Sequence, residues 1–250
     1  MAGHRLADSW PSGSAPRAAA TTEPICPRSP ARSPGPVWHW TAAATSATRA
    51  GRLPISTPIT LARVQKALVA PPDRPSLQQA ASVALILRDQ GAGFELLFIQ
   101  RAARPGDPWA GHMALPGGRW QAGDSDLLVT VEREVLEEVG ISLRSEGQVL
   151  GRLPSLDARV RGREVGLVVV PFVFLLTAEP SIRLNEEVDE AVWAELAPLA
   201  ARDQDTSIVV ARDGRETRFP AWVVGERPVW GLTYAILRSF FDLLARTGEG

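Results

Sequence analysis

Residues Gly118 to Ile141 read GRWQAGDSDLLVTVEREVLEEVGI. Within this stretch Leu128, Val131, Val135 and Val139 recur at three- and four-residue spacing, which predicts a helix from about Asp126 to Val139 with one apolar face. Acids open the helix and Gly140 stops it. Glu134, Glu137 and Glu138 then converge along the adjoining side. Three carboxylates this close repel one another unless a cation lies among them. A solvated acidic face is the plain explanation for Glu pairs on a helix. Here the Gly117-Gly118 pair, Arg133 and the closing Gly140-Ile141 sit at fixed offsets around the acids, which argues for a built site.

Hard oxygen ligands in this number suit Mg²⁺ or Mn²⁺, which favour octahedral oxygen coordination and retain several waters. Such ions bridge phosphate oxygens, so a small phosphate-bearing molecule is the expected partner. Arg133 can hold a neighbouring carboxylate with its planar fork and fix its orientation. The Gly117-Gly118 pair is expected in a tight turn that brings a backbone carbonyl towards the ion.

Working outward, Ala81 to Leu87 (ASVALIL) reads as a buried strand, Gly91-Ala92-Gly93 as a turn, and Glu95 to Gln100 (ELLFIQ) as an antiparallel return. His112 to Leu115 reads as a short strand before the glycine pair. Further strands are expected at Gln148 to Leu153, Gly166 to Leu176 and Ala191 to Glu195. Helical spacing marks Ile59, Leu61, Val64 and Leu68, and again Leu232, Ile236, Phe240 and Leu243 in a last helix from Gly231 to Leu244. Strands and helices do not alternate regularly. This predicts an α+β fold, a mixed β-sheet sandwiched between helices, rather than a doubly wound parallel sheet.

Residues 57–250 are read as one domain, and residues 1–56 as a disordered, low-complexity tail. The tail holds eight prolines, and six arginines face only Asp8 and Glu23. Such a composition buries too little apolar surface to offset its ordering entropy. Its Arg-rich, acid-poor balance is that of a transit peptide, but the prolines disfavour an amphipathic targeting helix, so a cytoplasmic location is expected. Net charge over the 250 residues is −1, which gives no reason to expect a nucleic-acid or membrane-surface partner. Cys26 is the lone cysteine, excluding an intrachain disulfide framework. The longest apolar run, Val165 to Leu176, is interrupted by Pro171 and is too short to span a bilayer. A monomer or homodimer acting on a small molecule is the expectation.

Taken together, Gly118, five residues, Asp124, eight residues and then Arg133-Glu134-Val135-x-Glu137-Glu138-x-Gly140-Ile141 resemble the signature of the Nudix hydrolases. That family cleaves nucleoside diphosphates linked to another moiety. Its usual pattern has Glu where Asp124 stands and a gap one residue shorter before the Arg-Glu segment. Both departures resemble the coenzyme A pyrophosphatase branch. The resemblance implies that Glu134 and Glu138 ligate the metal with Glu137 assisting, that Gly118 offers its carbonyl, that Arg133 orients the glutamates and that Asp124 supports the loop. It implies attack of water on one phosphorus of a pyrophosphate, with a glutamate of the cluster taking the proton.

The flanks bear on the substrate. Arg101-Ala102 upstream and Val229-Trp230-Gly231-Leu232-Thr233 downstream resemble that branch, although Leu115 replaces its phenylalanine. Arg101 and, less so, Arg104 are candidate phosphate contacts. Trp109, after the turn-forming Pro105-Gly106-Asp107-Pro108, either stacks on a base or caps the core. Glu187 is either a further ligand or base, or a solvated loop acid. The resemblance therefore points to coenzyme A or its thioesters. The alternatives are ADP-ribose-like or nucleoside triphosphate substrates, and a non-catalytic ligand-sensing module. The retained Arg133, Glu134, Glu137 and Glu138 favour an enzyme.

Overall fold

The computed structural model describes residues 40–41, 55, 57–68, 75–104, 109–160, 163–202, 205–212 and 215–247. The disordered-tail reading of residues 1–56, apart from Trp40, Thr41 and Ile55, and the turn reading of residues 105–108 lie outside the described residues, as does Cys26. In chain order the elements are β1 (Trp40–Thr41), α1 (Leu61–Ala67), β2 (Ala80–Asp89), β3 (Phe94–Arg101), β4 (Met113–Ala114), β5 (Gly117–Arg119), α2 (Leu127–Val139), α3 (Leu143–Glu146), β6 (Gly147–Arg152), β7 (Leu156–Val160), β8 (Arg163–Leu176), β9 (Val188–Glu195), α4 (Leu196–Ala200), β10 (Asp205–Arg212), β11 (Arg215–Val224), β12 (Arg227–Trp230) and α5 (Gly231–Thr247).

A mixed sheet organises the fold in the order β4-β3-β2-β8-β6, with β5 added to β2, β7 to β8 and β9 to β3. β2 and β8 run parallel, with Leu85 opposite Val173, and every other pairing in the sheet is antiparallel. The apolar runs of β2 and β8 suit this central position, because a strand covered on both faces need not alternate. Leu85 and Leu87 pack on one face with α1, α4 and α5, whereas Ala84 and Ile86 pack on the other with Val131, Val135 and Val139 of α2. The sheet is thus sandwiched between helices, as an α+β arrangement requires.

A second, four-stranded antiparallel sheet, β1-β10-β11-β12, was not among the sequence expectations. Its inward face supplies Trp222, Val224 and Val229 to the cluster containing α5. The Gly117-Gly118 pair also differs from expectation: it lies in β5, with Gly118 opposite Ser82 and Gly117 opposite Val83, not in a tight turn. No helix among the described residues is long and apolar enough to cross a membrane.

Candidate metal and active site

α2 begins where Asp126 turns its carboxylate back onto the helix, Oδ1 accepting from the backbone N–H groups of Leu128 and Val129 at 2.9 Å each. This satisfies two of the donors that every helix start leaves open. It ends at Gly140, whose φ of 75° is a left-handed conformation that glycine adopts without strain. Past that point the backbone N–H groups of Arg183 and Asn185 donate to the carbonyls of Val139 (2.8 Å) and Glu138 (3.1 Å). The segment carrying Glu187 is thereby pinned to the C-terminal end of α2.

The apolar stripe seats the helix and so sets the height of its acids. Glu138 is only 2% exposed, and its Oε2 accepts from the backbone N–H of Gly117 at 2.8 Å. Burial pushes its carboxyl up to about 8, against the Gly117 hydrogen bond and the attraction of Arg101; the neighbouring charges of Glu134 and Glu187 add to the rise. The guanidinium of Arg101 stands 4.0 Å from Glu138 Oε1. Glu134 is also raised, chiefly by burial, while its hydrogen bond from Arg133 works the other way. Glu137 is half exposed and receives Arg133 Nη1 at 3.2 Å.

Arg133 organises the acids. Its Nε and Nη2 grip Asp124 Oδ1 and Oδ2 at 3.0 Å each, Nη1 donates to Glu134 Oε1 at 2.8 Å, and Nη2 reaches the Arg119 carbonyl at 3.2 Å. Asp124 is buried, and its Oδ2 also accepts from Thr130 Oγ1 (2.9 Å) and the Gln121 backbone N–H (3.1 Å). The Arg133 hydrogen bond, ahead of the other donors, holds its carboxyl down at about 2 despite burial. Asp124 is therefore spent on Arg133, and Arg133 is spent on fixing Glu134.

The two glycines of β5 make room for this arrangement. A Cβ on Gly118 would lie 2.4–2.6 Å from the carboxylate atoms of Glu134, and one on Gly117 would lie 2.2 Å from the Ser82 carbonyl. Any side chain at either position would push Glu134 away or part β5 from β2. The backbone N–H of Gly117 as a partner for Glu138, Thr130 as a partner for Asp124, and the tight seat of Glu134 on Gly118 were not foreseen. The first and third depend on where β5 lies beside α2, which spacing along the chain does not encode.

The remaining candidates are placed as follows. Arg101 faces Glu138 from the end of β3. Glu187 lies near enough to raise both Glu134 and Glu138. Its backbone carbonyl accepts from Ala102 N–H (2.8 Å), and its Oε1 is paired with Arg104 Nη1 at 2.8 Å. Arg104 also pairs with Glu186, so it is tied to this loop rather than held out for a ligand. Trp109 opens the turn 109–111, and its carbonyl accepts from His112 N–H at 3.1 Å. No three His, Cys, Asp or Glu side chains among the described residues form a ready-made cage for a metal ion. A magnesium-like ion needs no such cage, since it is held by one or two carboxylates together with waters and substrate phosphates. Partly buried Glu134 and buried Glu138, both raised and with Glu187 adding to their repulsion, are an all-oxygen donor set whose charge such an ion would neutralise.

A family model described as the NUDIX domain matches residues 77–213. An uncharacterized protein of Schizosaccharomyces pombe is 40% identical over 157 residues, covering 59% of this chain and 46% of its own length. The mitochondrial coenzyme A diphosphatase NUDT8 of Homo sapiens is 32% identical over 154 residues, covering 60% and 63%. The chain thus spans roughly half to two thirds of the length of these relatives. Among solved structures, a Caenorhabditis elegans Ap4A hydrolase binary complex superposes with a TM-score of 0.44 at 20% identity, covering 67% of this chain and 98% of the other.

Proposed function

The chain belongs to the Nudix family, and we propose that its 57–250 domain is a divalent-metal-dependent pyrophosphohydrolase whose substrate is coenzyme A or one of its thioesters. The observation that carries the reading is the environment of Glu138. A carboxylate 2% exposed, beside Glu134 and Glu187 and 4.0 Å from its nearest guanidinium, is costly to keep ionised unless a cation joins it. Mg²⁺ or Mn²⁺ is the ion such donors suit, held by Glu134 and Glu138 with Glu137 and the Gly118 carbonyl at the margin. When bound, it would lower the pKa of a water and offset charge on the phosphoryl oxygens.

The chain's own residues have distinct tasks in this reading. Asp124 holds Arg133, and Arg133 holds Glu134 at a set angle beside β5. Gly117 orients Glu138 through its N–H. A glutamate of the cluster accepts the proton of the attacking water, and Arg101 is placed to meet a substrate phosphate at the same end. Water adds across the P–O–P bridge, and coenzyme A yields 3′,5′-ADP and 4′-phosphopantetheine.

The substrate assignment is supported by the 32% identity to the Homo sapiens coenzyme A diphosphatase. The test is a substrate panel of coenzyme A, acetyl-coenzyme A, ADP-ribose and nucleoside triphosphates, read by mass spectrometry with Mg²⁺ and with Mn²⁺. Release of 4′-phosphopantetheine is expected. Turnover of ADP-ribose without it would sink the coenzyme A assignment and leave the hydrolase. No turnover of any member would leave a ligand-sensing module.

A further inference from the structure

We infer that Ser82 is a positioning residue for Glu134: its hydroxyl donates to the Glu134 carboxylate when that carboxylate engages a divalent cation. The inference rests on reading the acidic cluster as the metal site. Ser82 lies in β2, in the run Ala80-Ala81-Ser82-Val83-Ala84. Side chains alternate faces along a strand. Ala84 and Ile86 pack in the cluster that holds Val131 and Val135 of α2, and Ala80 packs with Leu127 at its start. Ser82, between them, points to the same face, beneath α2.

Its cross-strand neighbour is Gly118. Directly opposed residues of an antiparallel pair place their Cβ positions about 4.5–5.5 Å apart on one face. The Cβ position of Gly118 is where the Glu134 carboxylate sits, 2.4–2.6 Å away. The hydroxyl of Ser82 and the carboxylate of Glu134 therefore share the space that the missing side chain of Gly118 leaves open.

Ser82 is 0% exposed, and its Oγ has no hydrogen-bond partner among the described residues. A buried hydroxyl left unbonded has lost its water partners without replacement and opposes folding. Its neighbours on the same face of the strand, Ala80 and Ala84, carry no polar side-chain atom. A polar atom placed at such cost stands across from a carboxylate whose one side-chain donor among the described residues is Arg133 Nη1 at 2.8 Å; it is a donor in waiting. A carboxylate that ligates a cation through one oxygen is typically held by hydrogen bonds to the other, and removing such a partner costs about 10–100-fold in metal affinity or activity.

The test compares the full chain with its Ser82→Ala variant by calorimetric titration of Mn²⁺ and by thermal unfolding in EDTA. Ser82→Ala is expected to weaken Mn²⁺ binding about tenfold. Its kcat falls while KM is held, and its Tm in EDTA is equal to or above that of the unsubstituted chain. Thr206→Ala, which removes another buried hydroxyl without a partner among the described residues, in the second sheet, leaves Mn²⁺ binding unchanged. Unchanged Mn²⁺ affinity in Ser82→Ala overturns the role of Ser82 alone, whatever its Tm does. An equal loss in Thr206→Ala also overturns it, since the effect is then general. An unsubstituted chain that binds no Mn²⁺ overturns both this inference and the reading of the site.

Discussion

α2 and α5 cover opposite faces of the same sheet and bury opposite kinds of side chain. α5 sends Ile236, Leu237, Phe240, Phe241 and Leu244 inward, and Trp222 meets Phe241 edge-on with ring centroids 5.6 Å apart. α2 buries Val131, Val135 and Val139, but on the same inward side it also buries Thr130 and Glu138. Each aliphatic or aromatic side chain taken out of water stabilises the fold by roughly 1.5–3 kcal/mol. A buried carboxylate with raised pKa opposes that gain. The difference separates two tasks within one core: α5 holds the sheet, and α2 spends part of that stability on holding charge where water is scarce.

The largest effect expected from this contrast is at Glu138. Glu138→Gln keeps an acceptor for the Gly117 N–H but removes the charge. It is expected to lower kcat by about 10³-fold or more, in line with losing a group that acts only in the reaction. The same variant should lose no stability in EDTA. The folded-state pKa of Glu138 is about 8, raised from 4.5, so its stabilising contribution is full below pH 4.5 and is lost as pH rises towards 8. Urea unfolding of the metal-free protein between pH 5 and 8 should show stability falling with pH, and Glu138→Gln should remove that slope. Full turnover with Mg²⁺ would show that the buried charge is not used.

The opposite half of the contrast is tested at Phe240, which is fully buried. Phe240→Ala is expected to cost about 3–5 kcal/mol of unfolding free energy while kcat per folded molecule is unchanged. A loss of kcat without a loss of stability would mean that α5 also shapes the site. Gly118→Ala is expected to sit between the two: displacing Glu134 by about an ångström should lower kcat about 10²-fold at nearly constant Tm. Steady-state kinetics on protein shown to be folded by circular dichroism would check both.

This contrast was unevenly legible in the sequence. The helix from Asp126 to Gly140 could be read because its cap, stripe and stop lie within one segment, and the acids could be seen to share a side. The strands at Ala81–Leu87 and Glu95–Gln100 were legible from their apolar runs. The antiparallel pair of β10 and β11 was not, because Thr, Arg and Pro220 dilute its alternation. The parallel pairing of β2 with β8 was hidden as well, since the 73 residues between Asp89 and Arg163 carry no mark of their partner. Within the site, Glu134, Glu137 and Glu138 announced themselves. Of the contacts that fix their geometry, the grip of Arg133 was legible too, whereas the Gly117 N–H and the seat on Gly118 come from β5 and required its placement beside α2.

The smallest of the expected effects tests whether charge on the α2 side is uniformly costly. Asp124 is as buried as many core residues, yet its pKa is drawn down from 3.8 to about 2, first by the Arg133 hydrogen bond and then by Gln121 and Thr130. A depressed acid stabilises the fold above its unfolded pKa and loses that contribution as pH falls from 3.8 towards 2, and a shift of this size corresponds to about 2 kcal/mol. Asp124→Asn should therefore unfold with about 2 kcal/mol less free energy at pH 7. The gap should narrow below pH 4, where the acid of the unsubstituted chain begins to take up its proton. Glu138 and Asp124, both buried beside α2, would then have opposite signs: one destabilises by its charge and the other stabilises by it. The distinction follows from partners, not depth, because Asp124 has a two-pronged guanidinium and Glu138 has one backbone N–H and an arginine 4.0 Å away. A gap that stayed constant between pH 7 and pH 3 would mean that the Asp124 clamp acts through shape rather than charge. The contrast between α2 and α5 would then reduce to packing alone.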